Sequence, residues 1–421
     1  MNNKENEVIN ECLNNSPFVF LTGGAGVGKS TLVKSLLETS DKNISKYGTT
    51  GVASLLIGGT TIESGFEIPP SVYNPVIDIY KIIKPSKREA IKNTDIVCID
   101  EVSMLRPDKL DYINYALQLN CNNKKPFGLK TILAIGDLYQ LPPVVSSKSP
   151  LPRQYLTPYF FSAEVLKACN LTIIELTKVY RQTDLLFIDA LNAIRVGNIT
   201  TEQLSYLNLR VVINPPQDAV VLSPYNDNIK SLNEDKLSEV DGQLYTFSAE
   251  TEGKINQNDF VAEKELKLKI GARVIIIRNA NDGTYVNGSI GIVKAINTYG
   301  PISIKLDSGT EVDIFKQEWP KTESVYSTDE NRNEQNVIGS IRQYPIKLAW
   351  GISIHKSQGA TYEKAHIDLG RGAFASGQLY VALSRVKSYE GLTLARPIQH
   401  SDIIVDQRII EFFKQSNIIR I

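Results

Sequence analysis

The chain of 421 residues carries no excess of either charge: Lys and Arg number 46, Asp and Glu also 46, and the formal net charge is zero. No molecule-wide positive field exists to draw it onto nucleic acid, so any contact with a polyanion must be local. Cysteine and histidine are scarce, at four and three. Cys12, Cys98, Cys121 and Cys169 lack CxxC spacing, which argues against a zinc site or a disulfide framework and for reduced thiols in a cytosol. Long apolar runs are missing as well. No stretch of ~18 apolar residues occurs, and residues 1–10 are polar and acidic without the basic head and apolar body of an export signal. The expected location is cytoplasmic: near the nucleoid in a bacterium, or in host cytoplasm for a virus.

What is present reads as folded protein. Hydrophobic residues at 42% and charged residues at 22% exclude disorder and fibrous repeats, and the length suggests roughly two to four compact units. Short apolar runs at 18–22, 96–99, 132–135 and 171–176 are each followed by a glycine or acidic turn and then a helical pattern, the rhythm of a parallel α/β sheet. A second such set begins at 219–223 and resumes near 366–369 and 392–395. Between them, from about 241 to 342, the apolar period changes to two. Turn signals such as Asn287-Gly288 and Asp307-Ser308-Gly309 separate the runs, which predicts a small β-barrel insert. Its polar exit, 323–336, reads as a mobile loop. A further insert at 66–93 carries Lys81, Lys84, Lys87, Arg88 and Lys92; a solvated helix face and a DNA contact explain that run equally well.

The chemistry begins at Gly23-Gly24-Ala25-Gly26-Val27-Gly28-Lys29-Ser30, which fits GxxxxGK[ST] between an apolar strand and a helical stretch starting at Thr31. Backbone N–H groups from Gly24 to Thr31 can wrap phosphates, Lys29 can reach the β and γ oxygens, and Ser30 can ligate magnesium. Asp100-Glu101 closes the run 96–99, placing two carboxylates at the strand's carboxyl edge. Asp100 is expected to hold the magnesium and Glu101 to polarise the attacking water. Gln140 follows the strand 132–135 and suits a γ-phosphate sensor, because an amide both donates and accepts; a helix-breaking turn at Pro142-Pro143 is the plain alternative. Phosphoryl transfer also needs positive charge from a second element, and Arg181 and Arg385 are candidates, although arginines so placed are usually surface charges.

The ordered set resembles the superfamily 1 helicases and, within them, the petite-integration-frequency (PIF) family of compact bacterial or phage type. The resemblance rests on the P-loop, Thr49-Thr50-Gly51-Val52-Ala53 with Gly58-Gly59-Thr60-Thr61, Asp100-Glu101-Val102-Ser103-Met104, and Pro126-Phe127-Gly128 leading to Gly136-Asp137-Leu138-Tyr139-Gln140-Leu141-Pro142-Pro143. It continues through Leu176-Thr177-Lys178-Val179-Tyr180-Arg181-Gln182, Val286-Asn287-Gly288-Ser289, Ile354-His355-Lys356-Ser357-Gln358-Gly359 and Tyr380-Val381-Ala382-Leu383-Ser384-Arg385, so it covers nearly the whole chain.

The resemblance implies an α/β fold of two RecA-like P-loop domains, with a small wedge insert and an SH3-like β-barrel insert. The expected boundaries are 1–65 with 95–167 for the first domain, 66–94 for the wedge, 168–240 with 343–421 for the second domain, and 241–342 for the β insert. It also implies ATP and Mg2+ as cofactors, with Arg181 and Arg385 closing on the γ-phosphate and Gly359 contributing to the nucleotide site. Thr50, Gly51, Gly59 and Thr61 on the first domain, and Ser353, His355 and Lys356 on the second, match segments that touch DNA. Their chemistry suits a phosphate backbone, although ordinary turn chemistry explains the first four as well. The implied activity is 5′ to 3′ travel on single-stranded DNA by a monomer, unwinding tailed or forked duplexes in replication, repair or recombination, with G-quadruplex DNA as an open candidate. Two departures stand out. Glu63 lies in Ile62-Glu63-Ser64, where family members carry His, and is expected to turn from DNA or make another contact; no Gln precedes residue 18 to read adenine, Asn6 being the nearest amide. Rival readings are an ATP-switched single-strand-binding module and a RecD-like recombination subunit.

Overall fold

The computed structural model describes residues 3–50, 53–54, 57–68, 85–145, 150–180, 184–216, 219–255, 260, 262–280, 283–285, 288–327 and 332–421. It divides into two compact units, residues 1–224 with 357–421, and residues 225–356.

The first unit is built on a parallel sheet of seven strands. In chain order these are β1 (Phe18–Gly23), β2 (Ile44–Gly48), β3 (Thr60–Thr61), β4 (Ile96–Asp100), β5 (Thr131–Ile135), β6 (Leu171–Leu176) and the terminal strand Ile418–Arg420. Across the sheet they run terminal strand, β6, β1, β5, β4, β2, β3. β1 is central, pairing Phe18 with Ile132 on one side and with Leu171 on the other. Side chains alternate across a strand, so β1 serves two cores. Phe18 and Phe20 pack with Phe127, Phe160 and Ile409 on one face, and Val19 and Leu21 pack with Ile9, Leu32, Val33 and Leu36 on the other. Burial on both faces is why β1, β4 and β5 read as continuous apolar runs.

The same unit holds a second parallel group, Val220–Ser223, Ala365–Ile367 and Leu392–Leu394, with Ala365 paired to both Val220 and Leu392. These two parallel sheets are the RecA-like pair. The sequence-based boundary at 168 moves, because β6 pairs with β1 along its whole length and belongs to the first sheet. An apolar run announces a buried strand but not which sheet it joins.

The second unit is antiparallel. Its main sheet runs Glu311–Ile314, Ile302–Leu306, Ile290–Ile296, Arg273–Ile276 and Ile346–Leu348, around a core that includes Phe247, Leu268, Val274, Ile304, Ile314 and Ile346. Leu266 and Leu268 are buried between exposed Glu265 and Lys267, and Ile302, Ile304 and Leu306 are buried between the more exposed Ser303 and Lys305, the period of two seen in the sequence. Within the polar stretch 323–336, residues 323–327 and 332–336 are strand rather than loop, and 328–331 lie outside the described residues. Gln317–Ser327 and Arg332–Gln343 pair antiparallel from Gln317↔Gln343 to Ser327↔Arg332. Ladder hydrogen bonds belong to the backbone and form whatever the polarity of the side chains, which is why composition misled.

Of the basic insert, residues 69–84 lie outside the described residues; Pro85–Asn93 is a helix in which Lys92 pairs with Glu89 at 3.0 Å. Among the described residues no helix is long and apolar enough to cross a membrane.

Candidate functional site

β1 runs into the phosphate loop through Gly23, at φ 146°, where an added Cβ would sit 2.6 Å from the Leu176 carbonyl oxygen. Only glycine fits that approach to β6. Gly26 and Gly28 are left-handed, each at φ 80°, and Gly28 caps the helix Lys29–Thr39. Successive N–H groups therefore turn toward one space at a helix N-terminus, the arrangement that holds phosphate. Lys29 Nζ donates to the Gly23 and Gly24 carbonyls at 2.7 and 2.9 Å. Loss of hydration lowers its pKa, and Asp137, Glu101 and Asp100 oppose that shift. The Ser30 side chain and Gly51 lie outside the described residues, as does Arg181. Tyr180 donates its backbone N–H to the Gly26 carbonyl at 2.8 Å.

Asp100 ends β4 with 6% of its surface exposed. Burial and then the neighbouring Glu101 charge push its carboxyl up to about 7. Glu101 has φ 52° and ψ 46°, a left-handed conformation uncommon in a residue with a side chain. Thr49 holds the pair: its N–H donates to the Asp100 carbonyl at 3.2 Å and its hydroxyl to the Glu101 carbonyl at 2.7 Å. Gln358 reaches the same place. Its amide nitrogen lies 3.2 Å from Glu101 Oε2, 3.4 Å from Ser103 Oγ and 3.4 Å from Gln140 Oε1. The structure thus gathers Lys29, Asp100, Glu101 and Gln140, as the sequence suggested.

A buried polar network ties this cluster to the helix Gln378–Ser384. Asp137 is fully buried and accepts from Arg195 Nε at 3.1 Å and from the Tyr380 hydroxyl at 3.0 Å. The Tyr380 oxygen in turn accepts the Ala25 N–H at 2.6 Å, a donor of the phosphate loop. Burial works against charge on Arg195, but Asp137, Tyr380 and Glu175 more than offset it and push the guanidinium pKa up. Gly377 enters the helix with φ 75°, and an added Cβ would stand 2.4 Å from the Gln140 carbonyl oxygen. Arg385 ends the same helix, 2% exposed, donating to the Val381 carbonyl, the Ala360 carbonyl and Ser384 Oγ at 3.0, 3.1 and 2.8 Å. None of those acceptors belongs to the Lys29 cluster. Gly359 is left-handed at φ 80°.

The first-sheet DNA candidates have local duties. Thr50 accepts from the Ala53 N–H at 3.1 Å, and Thr61 caps the helix Ile62–Phe66 by accepting from the Ser64 N–H at 3.2 Å. A Cβ on Gly59 would meet the Lys46 carbonyl oxygen at 2.2 Å. Glu63 makes another contact, an ion pair with Lys109. In the second unit Ser353 is buried, His355 half-buried with its pKa lowered by burial, and Lys356 exposed. Asn6 Oδ1 is buried with no hydrogen-bond partner.

The family described as PIF1-like helicase matches residues 1–205, and the 2B domain of DNA helicase Pif1 matches residues 252–296. The ATP-dependent DNA helicase Pif1 of Bdellovibrio bacteriovorus is 32% identical over 408 residues, spanning 94% of this chain and 88% of that protein. The chain belongs to the PIF1-like helicase family. The human ATP-dependent DNA helicase PIF1 is 33% identical over 94% of the chain, which spans only 60% of the human protein's length. Bacteroides Pif1 bound to single-stranded DNA superposes with a TM-score of 0.88 at 33% identity, over 98% of this chain and 96% of that one. A Pif1 structure on forked double-stranded DNA and a Bacteroides complex with ADP-AlF3 and single-stranded DNA each give 0.86, over 98% of this chain and 97% and 96% of theirs.

In this PIF1-like chain, reading the sequence missed Thr49, Ser103, Asp137, Tyr380 and Gln358 as site residues, although all lie in quoted motifs. Arg195 left no signal, since it reads as an ordinary last-turn base of the helix Leu185–Val196.

Proposed function

We propose that this PIF1-like chain is an ATP-hydrolysing DNA helicase that travels 5′ to 3′ on single-stranded DNA and opens forked or tailed duplexes. The observation that carries the reading is the convergence of Lys29, Asp100, Glu101 and Gln140 below a phosphate loop, with Glu101 and Gln140 held by one amide. The triphosphate takes the loop N–H groups and the Lys29 ammonium, which exchanges the Gly23 and Gly24 carbonyls for phosphate oxygens. Glu101, beside the metal position, accepts a proton from the attacking water. Gln140 reports the γ-phosphate, and Arg181 and Arg385 supply positive charge as the site closes.

Asp100 fits a magnesium ion. It is a buried carboxylate whose charge is disfavoured without a cation, and Mg2+ takes one or two protein oxygens beside phosphate and water. Ser30 and Asp100 would hold the ion, which supplies positive charge to the β and γ oxygens when bound. Ser353, His355 and Lys356 are one proposed grip on the strand, and Thr50, Gly51, Gly59 and Thr61 are another. Affinity that differs between nucleotide states converts their alternation into travel.

The relatives support the reading: they are described as ATP-dependent DNA helicases, and Bacteroides Pif1 has been captured on single-stranded DNA. Purified protein is expected to hydrolyse ATP faster with single-stranded DNA and to lose that activity in Lys29→Ala; undiminished turnover in the variant refutes the assignment. Matched 5′-tailed and 3′-tailed duplexes test direction, and a G-quadruplex substrate tests range. A protein that binds strands under ATP yet separates neither duplex is the switched binding module instead.

A further inference from the structure

The Gln358 amide can face the cluster in only one sense. Turned over, its oxygen would oppose the Glu101 carboxylate, which can only accept. With the nitrogen inward, two hydrogens are shared among Glu101, Ser103 and Gln140. The cost falls on the other atom: Gln358 Oε1 is buried without a hydrogen-bond partner. An orphaned buried acceptor forfeits its hydration without recompense, so an apolar side chain of equal volume would serve packing better. The amide is placed for what it does to Glu101 and Gln140.

We propose that Gln358 is a positioning residue for hydrolysis, holding the Glu101 carboxylate and the Gln140 amide in a common register through its NH2 group. This rests on the reading of Glu101 as the base and Gln140 as the phosphate sensor. Glu101 needs such a partner. Its left-handed backbone is strapped by Thr49, but its carboxylate has torsions of its own and must be aimed from outside.

The test is steady-state ATPase at saturating ATP and single-stranded DNA, with Gln358→Leu in wild-type and Glu101→Asp backgrounds. In the wild-type background Gln358→Leu is expected to lower kcat roughly 10- to 100-fold, the scale of a misplaced catalytic group, while KM for ATP stays within about twofold. The melting temperature should hold or rise. Glu101→Asp withdraws the carboxylate from the amide, so there the same substitution should cost less than about threefold, the non-additivity of residues acting as a unit. Gln358→Glu keeps size and polarity but removes the donor, and should lose as much as Gln358→Leu. Equal losses in both backgrounds, restored turnover in Gln358→Glu, or a loss that tracks a fall in melting temperature overturns the inference. Wild-type protein without ATPase activity, or full activity in Lys29→Ala, would instead fell the functional reading beneath it.

Discussion

Asp100 shows what single residues give up for the site. Its carboxyl is raised to about 7 by burial and by Glu101, against an ordinary value of 3.8. A raised folded-state pKa means that stability is fully present below the unfolded value and lost as pH rises through about 7. Asp100→Asn is therefore expected to melt higher than wild type at pH 8, by an amount on the order of 1–3 kcal/mol, while losing ATPase activity. The gap should close toward pH 4, and thermal melts across that range would check it. Much at this scale was legible: Lys29, Asp100, Glu101 and Gln140 announced themselves because each follows a strand at its carboxyl edge. The strap from Thr49 and the contact between Glu63 and Lys109 were not, because hydroxyls and surface charges occur everywhere and only proximity gives these two a partner.

At the scale of elements, the N-terminal end of the helix Gln378–Ser384 is tied to the phosphate loop and to the Gln140 turn. Gly377 lies against the Gln140 turn, and Tyr380 bridges Ala25 to Asp137. Gly377→Ala should push the helix from Gln140 and lower kcat for ATP with little change in single-strand affinity, measured by ATPase and fluorescence anisotropy. Arg195→Leu would strand the Asp137 carboxylate in the core, and a broken buried pair costs about 3–5 kcal/mol, visible in chemical denaturation. The elements themselves were readable as apolar runs and glycine turns. The polar ribbon Gln317–Ser327 with Arg332–Gln343 escaped because neither face of it need be apolar for its backbone to pair. Phe127-Gly128 read as a family signature, and its local cause is a left-handed turn, φ 51° at Phe127, whose N–H bonds Asn114 Oδ1 at 2.7 Å.

For the whole molecule, the division into two units has a measurable consequence. All the triphosphate contacts proposed here, Arg385 included, lie in residues 1–224 and 357–421, and the antiparallel core lies in residues 225–356. Ligand binding stabilises the state it binds, by about 2.7 kcal/mol at a hundredfold excess over Kd. ADP should therefore slow hydrogen exchange in the phosphate loop, β4 and the Asp137–Gln140 turn, and leave the strands Arg273–Ile276 and Ile302–Leu306 unchanged; protection spread evenly over both units would contradict that placement. The amino-acid order by itself determined the parallel sheets, the phosphate loop, the paired carboxylates and the period-two insert, because each is written in residues close together along the chain. Tertiary structure alone decided that β6 and the last strand join the first sheet, that Tyr380 and Arg195 meet at Asp137, and that Gln358 comes to Glu101. Those contacts join residues from 58 to 257 positions apart, where local pattern carries no information and only the folded path sets distance.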